Sequence, residues 1–285
     1  MENKDMLKPT EFARFFDHTL LKPEATTAQV RKLVEEAYHY GFYGVCVNPV
    51  HVPLAVELVN DLTGVPEGDY VEPFSTEGGV LDTPADSEEF AIIEDEEEEE
   101  LTGVAVVAVI DFPLGAGTAL MKAHETEKVV EMGVDEVDMV IPIGYLKEKN
   151  YYMVERHIAE VIRAAGGEER DVVVKVILET GLLNEDEKKI AAAIAMAAGA
   201  DFVKTSTGFL GGGATVEDVK LLREIVGPYK GVKASGGIRT AEAAIKMIQA
   251  GANRLGTSRT VQIMEQYIAL YHGDDTEMTD DGEGY

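Results

Sequence analysis

The sequence predicts a (β/α)8 barrel of the TIM type, and three observations carry that reading. Short apolar strands alternate with amphipathic helical stretches, and the strands number eight. Many of the strands are unbroken Val/Ile runs, as expected of parallel strands covered on both faces. A glycine recurs between the end of a helix and the next strand, in YGFYGVCV, EMGVDEVDM, AAGADFVKT and QAGANRLGT. At that point it supplies the left-handed residue with which helices commonly end. An open, doubly wound sheet is the alternative. It would need fewer strands and a glycine fingerprint after the first of them, which this chain lacks.

Taken in order, the first strand is FFDHTL (15–20), followed by a helical pattern over 27–40. GVCVN (44–48) is the second, with a helix over 50–62. VAVVAVI (104–110) is the third, with a helix over 118–132. DEVDMVI (135–141) precedes a helix over 150–165, and DVVVKVILE (171–179) precedes one over 185–198. DFVKTS (201–206) and GVKAS (231–235) lead into helices over 215–226 and 240–250. NRLGTS (253–258) is the eighth strand. Between the second helix and the third strand lies an acidic stretch, 61–101. It holds Pro66, Pro73, Pro84 and the run EDEEEEE, with little core-forming periodicity. It reads as an inserted, solvated loop, on the barrel end opposite the strand C-termini. Residues 273–285 read as an acidic, flexible tail, so that 1–285 is a single barrel domain with two appendages.

Charge narrows the partners. The formal net charge is −28; residues 61–100 hold 16 acidic residues and 273–285 hold 6, with no Lys or Arg in either stretch. Nucleic acid is a poor partner for such a surface. Acidity of this degree is also one way to stay soluble in high salt, although a halophilic surface should be acidic throughout. No apolar run approaches the roughly 18 residues of a membrane span, and MENKDMLKPTEFARFF lacks the apolar core of a secretory signal. The single cysteine, Cys46, excludes an internal disulfide and a multi-cysteine zinc site. The expectation is a cytoplasmic protein that binds neither membrane nor nucleic acid.

Chemistry enters with two lysines. Lys204 ends strand six and Lys233 lies in strand seven, with no carboxylate adjacent to either in sequence. In a barrel the C-terminal strand ends form the active site, and neighbouring strands run about 4.8 Å apart. Two ammonium groups sharing a confined, partly desolvated site lower the pKa of at least one. A neutral amine is a nucleophile toward a carbonyl and forms a Schiff base, and the second, cationic lysine can assist proton transfer. The structural alternative is that each lysine pairs with a buried carboxylate or reaches out to solvent. Asp138 places a carboxylate inside the apolar fourth strand, where it needs a cation or a catalytic role. Lys175 on strand five is its candidate partner, and Asp138 with Lys175 and Lys233 would make a proton relay or a purely structural ion pair. After strands six, seven and eight come STGFLGGG, ASGGIRT and GTSRT. Such loops bind phosphate through backbone N–H groups at helix N-termini.

These stretches carry a resemblance. DEVDMVI, VKVILETGLL, FVKTSTGF, VKASGGIRT and RLGTS, with DHTLL, GVCVNP and FPLGAG upstream, resemble the 2-deoxyribose-5-phosphate aldolases over about 12–62 and 102–260. The resemblance implies a class I aldolase that needs no metal and no cofactor. It implies reversible cleavage of 2-deoxy-D-ribose 5-phosphate to acetaldehyde and D-glyceraldehyde 3-phosphate. Lys204 would form the Schiff base, Lys233 would perturb it and exchange protons, and Asp138 would assist as acid and base. Asp17, Thr19 and Thr207 would touch substrate hydroxyls, with Lys175 among the binding residues. Gly208, Gly236, Gly237 and Ser258 would hold the phosphate. Some members end in a tyrosine that reaches the site, which makes Tyr285 a candidate for proton transfer at the Schiff-base carbon. Three departures stand out: Phe209 where some members have a lysine, Arg259 where some have a second serine, and the acidic insertion. The competing readings are a Schiff-base aldolase for another phosphosugar, a non-catalytic sugar-phosphate-binding barrel, and an interaction module centred on the insertion. A homo-oligomer, dimer or tetramer, is compatible with all of them.

Overall fold

Alternation along each strand sorts its residues into two environments. In the computed structural model, which describes residues 6–64, 103–167 and 171–273, the strands are β1 (Phe16–Leu20), β2 (Gly44–Val47), β3 (Ala105–Ile110), β4 (Glu136–Val140), β5 (Val173–Ile177), β6 (Phe202–Lys204), β7 (Gly231–Ser235) and β8 (Arg254–Thr257). All neighbours pair in parallel, in sequence order, and β8 closes on β1. Phe16, Val45, Val106, Val137, Val174, Val203, Val232 and Leu255 join the apolar core between sheet and helices. The alternate residues face inward, and from six of the eight strands they are charged or polar.

The helices are α1 (Pro9–Ala13), α2 (Thr27–Tyr40), α3 (Val52–Thr63), α4 (Ala119–Glu131), α5 (Ile143–Lys147), α6 (Tyr151–Ala164), α7 (Glu185–Ala197), α8 (Val216–Val226), α9 (Ala241–Gln249) and α10 (Thr260–His272). Their starts are written in the sequence. Thr26, Thr118, Asn150, Asn184, Thr215 and Thr240 each accept an N–H from the first turn, which fixes where the chain turns from loop into helix. At the other ends Gly41, Gly133, Gly199 and Gly251 take φ of 67°, 92°, 98° and 110°, a region L side chains rarely adopt. The repeated glycine is therefore the helix stop, as expected from the sequence.

The expected strands and helices agree with these elements to within a few residues, and three helices are additional. α1 and α5 have five residues each, too short to show a period. α10 is the eighth barrel helix that the architecture requires; its pattern was not picked out because its inner stripe mixes Thr260 and Gln266 with Ile263, Met264 and Tyr267, which dilutes the apolar periodicity. One boundary is corrected: residues 61–63 belong to α3, which ends on Gly64 at φ 67°, so the acidic stretch begins after that cap. The rest of the 61–101 segment, nearly all of the 273–285 tail and Tyr285 lie outside the described residues.

Candidate active site

The register of the sheet brings the charged residues together. Lys204 pairs directly with Lys233 across β6 and β7, and Asp138 with Lys175 across β4 and β5. Asp138 Oδ1 accepts from Lys175 at 2.7 Å, and its Oδ2 accepts from both Lys204 and Lys233 at 2.7 Å. The sequence suggested no carboxylate beside Lys204; the fold supplies one from 66 positions away. The two readings offered for these lysines, paired or catalytic, are thus not exclusive: both lysines are ion-paired, and they share the pair.

Beneath them the network continues. Asp17 Oδ2 accepts from Lys233, and its Oδ1 accepts from Arg254 at 2.8 Å. Arg254 also reaches Glu136 Oε2 at 3.1 Å, and the same oxygen lies 2.5 Å from Lys175. The guanidinium of Arg254 stacks over Tyr43, 3.2 Å from the ring centroid. Gly256 makes room for Lys233: a Cβ there would lie 3.1 Å from Lys233 Cε. The other side of the interior is apolar, formed by Leu21, Cys46, Val107 and Val109, with Phe112 and Phe209 packed on it. Phe112 and Phe209 meet edge to face, 5.2 Å between centroids.

A cavity opens above the network at the strand C-termini. Thr19, Lys204, Thr207, Gly208, Gly236, Gly237 and Ser258 line it, as do Arg239 and Arg259. Gly236 holds φ 85°, and a Cβ on neighbouring Gly213 would stand 2.4 Å from the Gly236 carbonyl oxygen. The glycines therefore permit two loops to meet at a distance no side chain allows. Of the interior cations among the described residues, Lys204 alone lines this cavity, and it is 3% exposed where Lys175 and Lys233 are 0%.

Two of the expected substrate contacts lie deeper than the others. Asp17 and Lys175 are fully buried below the cavity and spend their polar atoms on Lys233 and Arg254, and on Asp138 and Glu136. Both belong to the ion network because their strand positions lie one layer deeper than the strand ends. Thr19 and Thr207 do reach the cavity. Thr207 gives its N–H, at 3.1 Å, and its hydroxyl to the buried Glu179, which fixes its orientation at the cavity wall beside Gly208.

The electrostatics separate the two lysines. Burial pushes Lys204 below the ordinary lysine value, and Lys233 adds to the push against the attraction of Asp138. Burial acts on Lys233 in the same sense, but Asp138 and Asp17 outweigh it and hold Lys233 above the usual range. Asp138 goes the other way: desolvation would raise it, and Lys175, Lys204 and Lys233 together keep it well below the carboxylate range. The arrangement presents one amine biased toward its neutral form, a permanent cation and a permanent carboxylate, in contact with one another.

Sequence reasoning passed over Glu136, Arg254, Glu179 and Arg239. Glu136 was legible: it stands two residues before Asp138 and so must share its face. Arg254 was read only as part of the eighth strand and of the RLGTS motif, with no role of its own, and its register with Lys233 places it inside. Among the described residues no group of three or more His, Cys, Asp or Glu side chains is arranged to hold a metal ion.

Comparison with known proteins agrees with this geometry. The DeoC/LacD family aldolase profile matches residues 103–261. Deoxyribose-phosphate aldolase of Coprothermobacter proteolyticus is 48% identical over 256 residues, covering 90% of this chain and 97% of that protein. The enzyme of that name from Thermococcus kodakarensis is 48% identical over 255 residues, covering 90% and 96%. The tetrameric deoxyribose phosphate aldolase structure from Aeropyrum pernix superposes with a TM-score of 0.73 at 31% identity, over 94% of this chain and 96% of that one. On the family match and these identities, the chain belongs to the DeoC/LacD aldolase family.

Proposed function

We propose that the protein cleaves 2-deoxy-D-ribose 5-phosphate reversibly to acetaldehyde and D-glyceraldehyde 3-phosphate through a Schiff base on Lys204. The observation that carries this is the position of Lys204: of the interior cations it is the one on the cavity, it is biased toward the neutral amine, and it faces glycine loops of the kind that hold phosphate. In the cleavage direction the Lys204 nitrogen adds to the C1 carbonyl of the open-chain sugar, and water leaves to give the iminium. Removal of the C3 hydroxyl proton then breaks the C2–C3 bond. Its electrons pass into the iminium, and D-glyceraldehyde 3-phosphate departs. Protonation of the resulting enamine at carbon, followed by hydrolysis, releases acetaldehyde and restores the amine. Asp138 and Lys233 move the protons. Thr19 and Thr207 contact sugar hydroxyls. Gly208, Gly236, Gly237 and Ser258 hold the phosphate, with Arg239 and Arg259 as its counter-charges.

The substrate is a phosphosugar, and the reaction needs no metal. Tyr285 assists protonation of the enamine carbon. The chain acts in the cytoplasm as a homo-oligomer, in keeping with exposed Leu120, Met121 and Tyr152 on neighbouring helices. The acidic 61–101 insertion, past the end of α3, and the 273–285 tail are solvating appendages of one barrel domain and make salt tolerance an expected property. The deciding experiment supplies purified protein with 2-deoxy-D-ribose 5-phosphate and measures D-glyceraldehyde 3-phosphate with a coupled dehydrogenase. Turnover that disappears in Lys204→Ala supports the reading. Absence of turnover on this sugar, with cleavage of another phosphosugar, would replace the substrate.

A further inference from the structure

Among the described residues, the ionised groups of the barrel interior form a closed ring. Asp17 touches Arg254, Arg254 touches Glu136, Glu136 touches Lys175, Lys175 touches Asp138, Asp138 touches Lys233, and Lys233 touches Asp17. Cation and carboxylate alternate all the way round. Every cation in the ring therefore has two carboxylate partners, and the ring is neutral. Lys204 stands outside it. It touches Asp138 alone, through the oxygen already taken by Lys233.

The remaining groups facing Lys204 leave that balance unchanged. Cys46 on β2 is held at about 11 by burial and carries no charge at neutral pH. β3 contributes Val107 and Val109. Tyr43 lies under Arg254 at the closed end. Glu179 is buried behind the loop after β6, where it accepts from the Thr207 N–H and hydroxyl and makes no contact with Lys204, and Arg239 and Arg259 line the cavity mouth above the ring. A surplus charge in a desolvated interior is costly unless paired. Within this interior the surplus proton sits on Lys204.

We propose that Arg254 and Glu136, which touch no reacting atom, are positioning residues that close the ion ring and so make Lys204 the one cation without a place in it. The inference rests on the Schiff-base reading of Lys204, because its consequence is a population of neutral Lys204 amine. It predicts effects of opposite sign from two residues in contact. Arg254→Met leaves the ring one positive charge short, and Lys204 fills the deficit by staying protonated. Glu136→Gln leaves the ring one positive charge in excess, and Lys204 loses its proton more readily. The double variant Glu136→Gln/Arg254→Met is neutral again.

The readout is borohydride trapping of acetaldehyde on Lys204, located by mass spectrometry and followed as a function of pH. Neutral amine is the reactive form, so the acid limb of the trapping rate reports it. One unit charge changed inside a protein of effective dielectric about 20 shifts such an equilibrium by roughly tenfold or more at ångström-scale separations. The expected result is a limb displaced to higher pH in Arg254→Met and to lower pH in Glu136→Gln. Trapping on the limb should change about tenfold in each case, and the double variant should return to the wild-type limb. If Arg254→Met fails to fold, Glu136→Gln and the double variant carry the test between them. A residue of merely structural importance would lower trapping at all pH values and leave the limb in place, and that result overturns the ring. Wild-type protein that traps no acetaldehyde on Lys204 would overturn the Schiff-base reading as well, whereas normal trapping with unmoved limbs overturns the ring alone.

Discussion

Replacing Lys233 with leucine removes the cation nearest to Lys204. Both nitrogens lie 2.7 Å from the same Asp138 oxygen, so they are separated by no more than twice that distance. At about 5 Å and an effective dielectric of about 20, two unit charges repel by about 3 kcal/mol. Relief of that repulsion favours protonated Lys204 by the same amount, roughly a hundredfold fall in neutral amine at a pH on the acid limb. The fold should survive, because no buried carboxylate is stranded: Asp17 keeps Arg254 at 2.8 Å, and Asp138 keeps Lys175 and Lys204. The assay is kcat/KM for 2-deoxy-D-ribose 5-phosphate across pH 5 to 10, beside the urea midpoint at each pH. The expected outcome is an acid limb displaced to higher pH with partial recovery of rate above it. A folded Lys233→Leu protein whose limb coincides with that of the wild type would refute the electrostatic coupling of the two lysines.

The mouth of the site offers a second test. Arg259→Ala should raise KM for the phosphorylated sugar about tenfold, the scale of a lost charge-assisted hydrogen bond, and leave unphosphorylated 2-deoxyribose nearly unaffected. Equal effects on both sugars would remove Arg259 from phosphate recognition. Stability should also depend on the ring carboxylates. Burial on its own would raise Asp17 and Asp138, but their cationic neighbours hold both below the usual carboxylate range. Their contribution is therefore complete above the unfolded-state pKa of about 4 and is lost as pH falls below it toward the folded-state values. In 1 M salt, which screens the net charge of the surface, the urea midpoint should hold between pH 7 and 5 and fall below about pH 4. The difference between wild type and Asp17→Asn should shrink over the same fall; a difference that grows on acidification contradicts it. Finally, EDTA should leave turnover unchanged, since lysine chemistry alone activates the carbonyl. Loss of activity restored by zinc would contradict the class I mechanism.

How far the sequence could be read follows from the range of the forces involved. Helix caps and stops are local: the glycines at 41 and 199 marked the ends of their helices without any knowledge of the fold, and the structure adds Thr26 and Asn184 as equally local caps at the starts. The strand count was legible because buried parallel strands must be apolar on their helix-facing side. The lysine pair was legible too, since it needs only that β6 and β7 be adjacent. Partnerships set by closure of the barrel were not. Asp17 meets Lys233 and Arg254 only because β1 closes on β8, across 216 and 237 positions of sequence. Nothing near DHTLL signals that this aspartate faces a ring of charge. For Lys175 the partner Asp138 was anticipated, but the depth of both beneath the cavity depends on the stagger of the strands. Phe209 was noted as a departure, and its contact with Phe112 required the loop after β3 to fold over the mouth.

The account turns on Lys204, and reductive trapping tests it most directly. Protein incubated with acetaldehyde and borohydride, digested and analysed by mass spectrometry, should carry one two-carbon adduct, on Lys204, and Lys204→Ala should carry none and have no turnover. An adduct on Lys233 in its place, or a Lys204→Ala protein that still cleaves 2-deoxy-D-ribose 5-phosphate, would contradict the assignment.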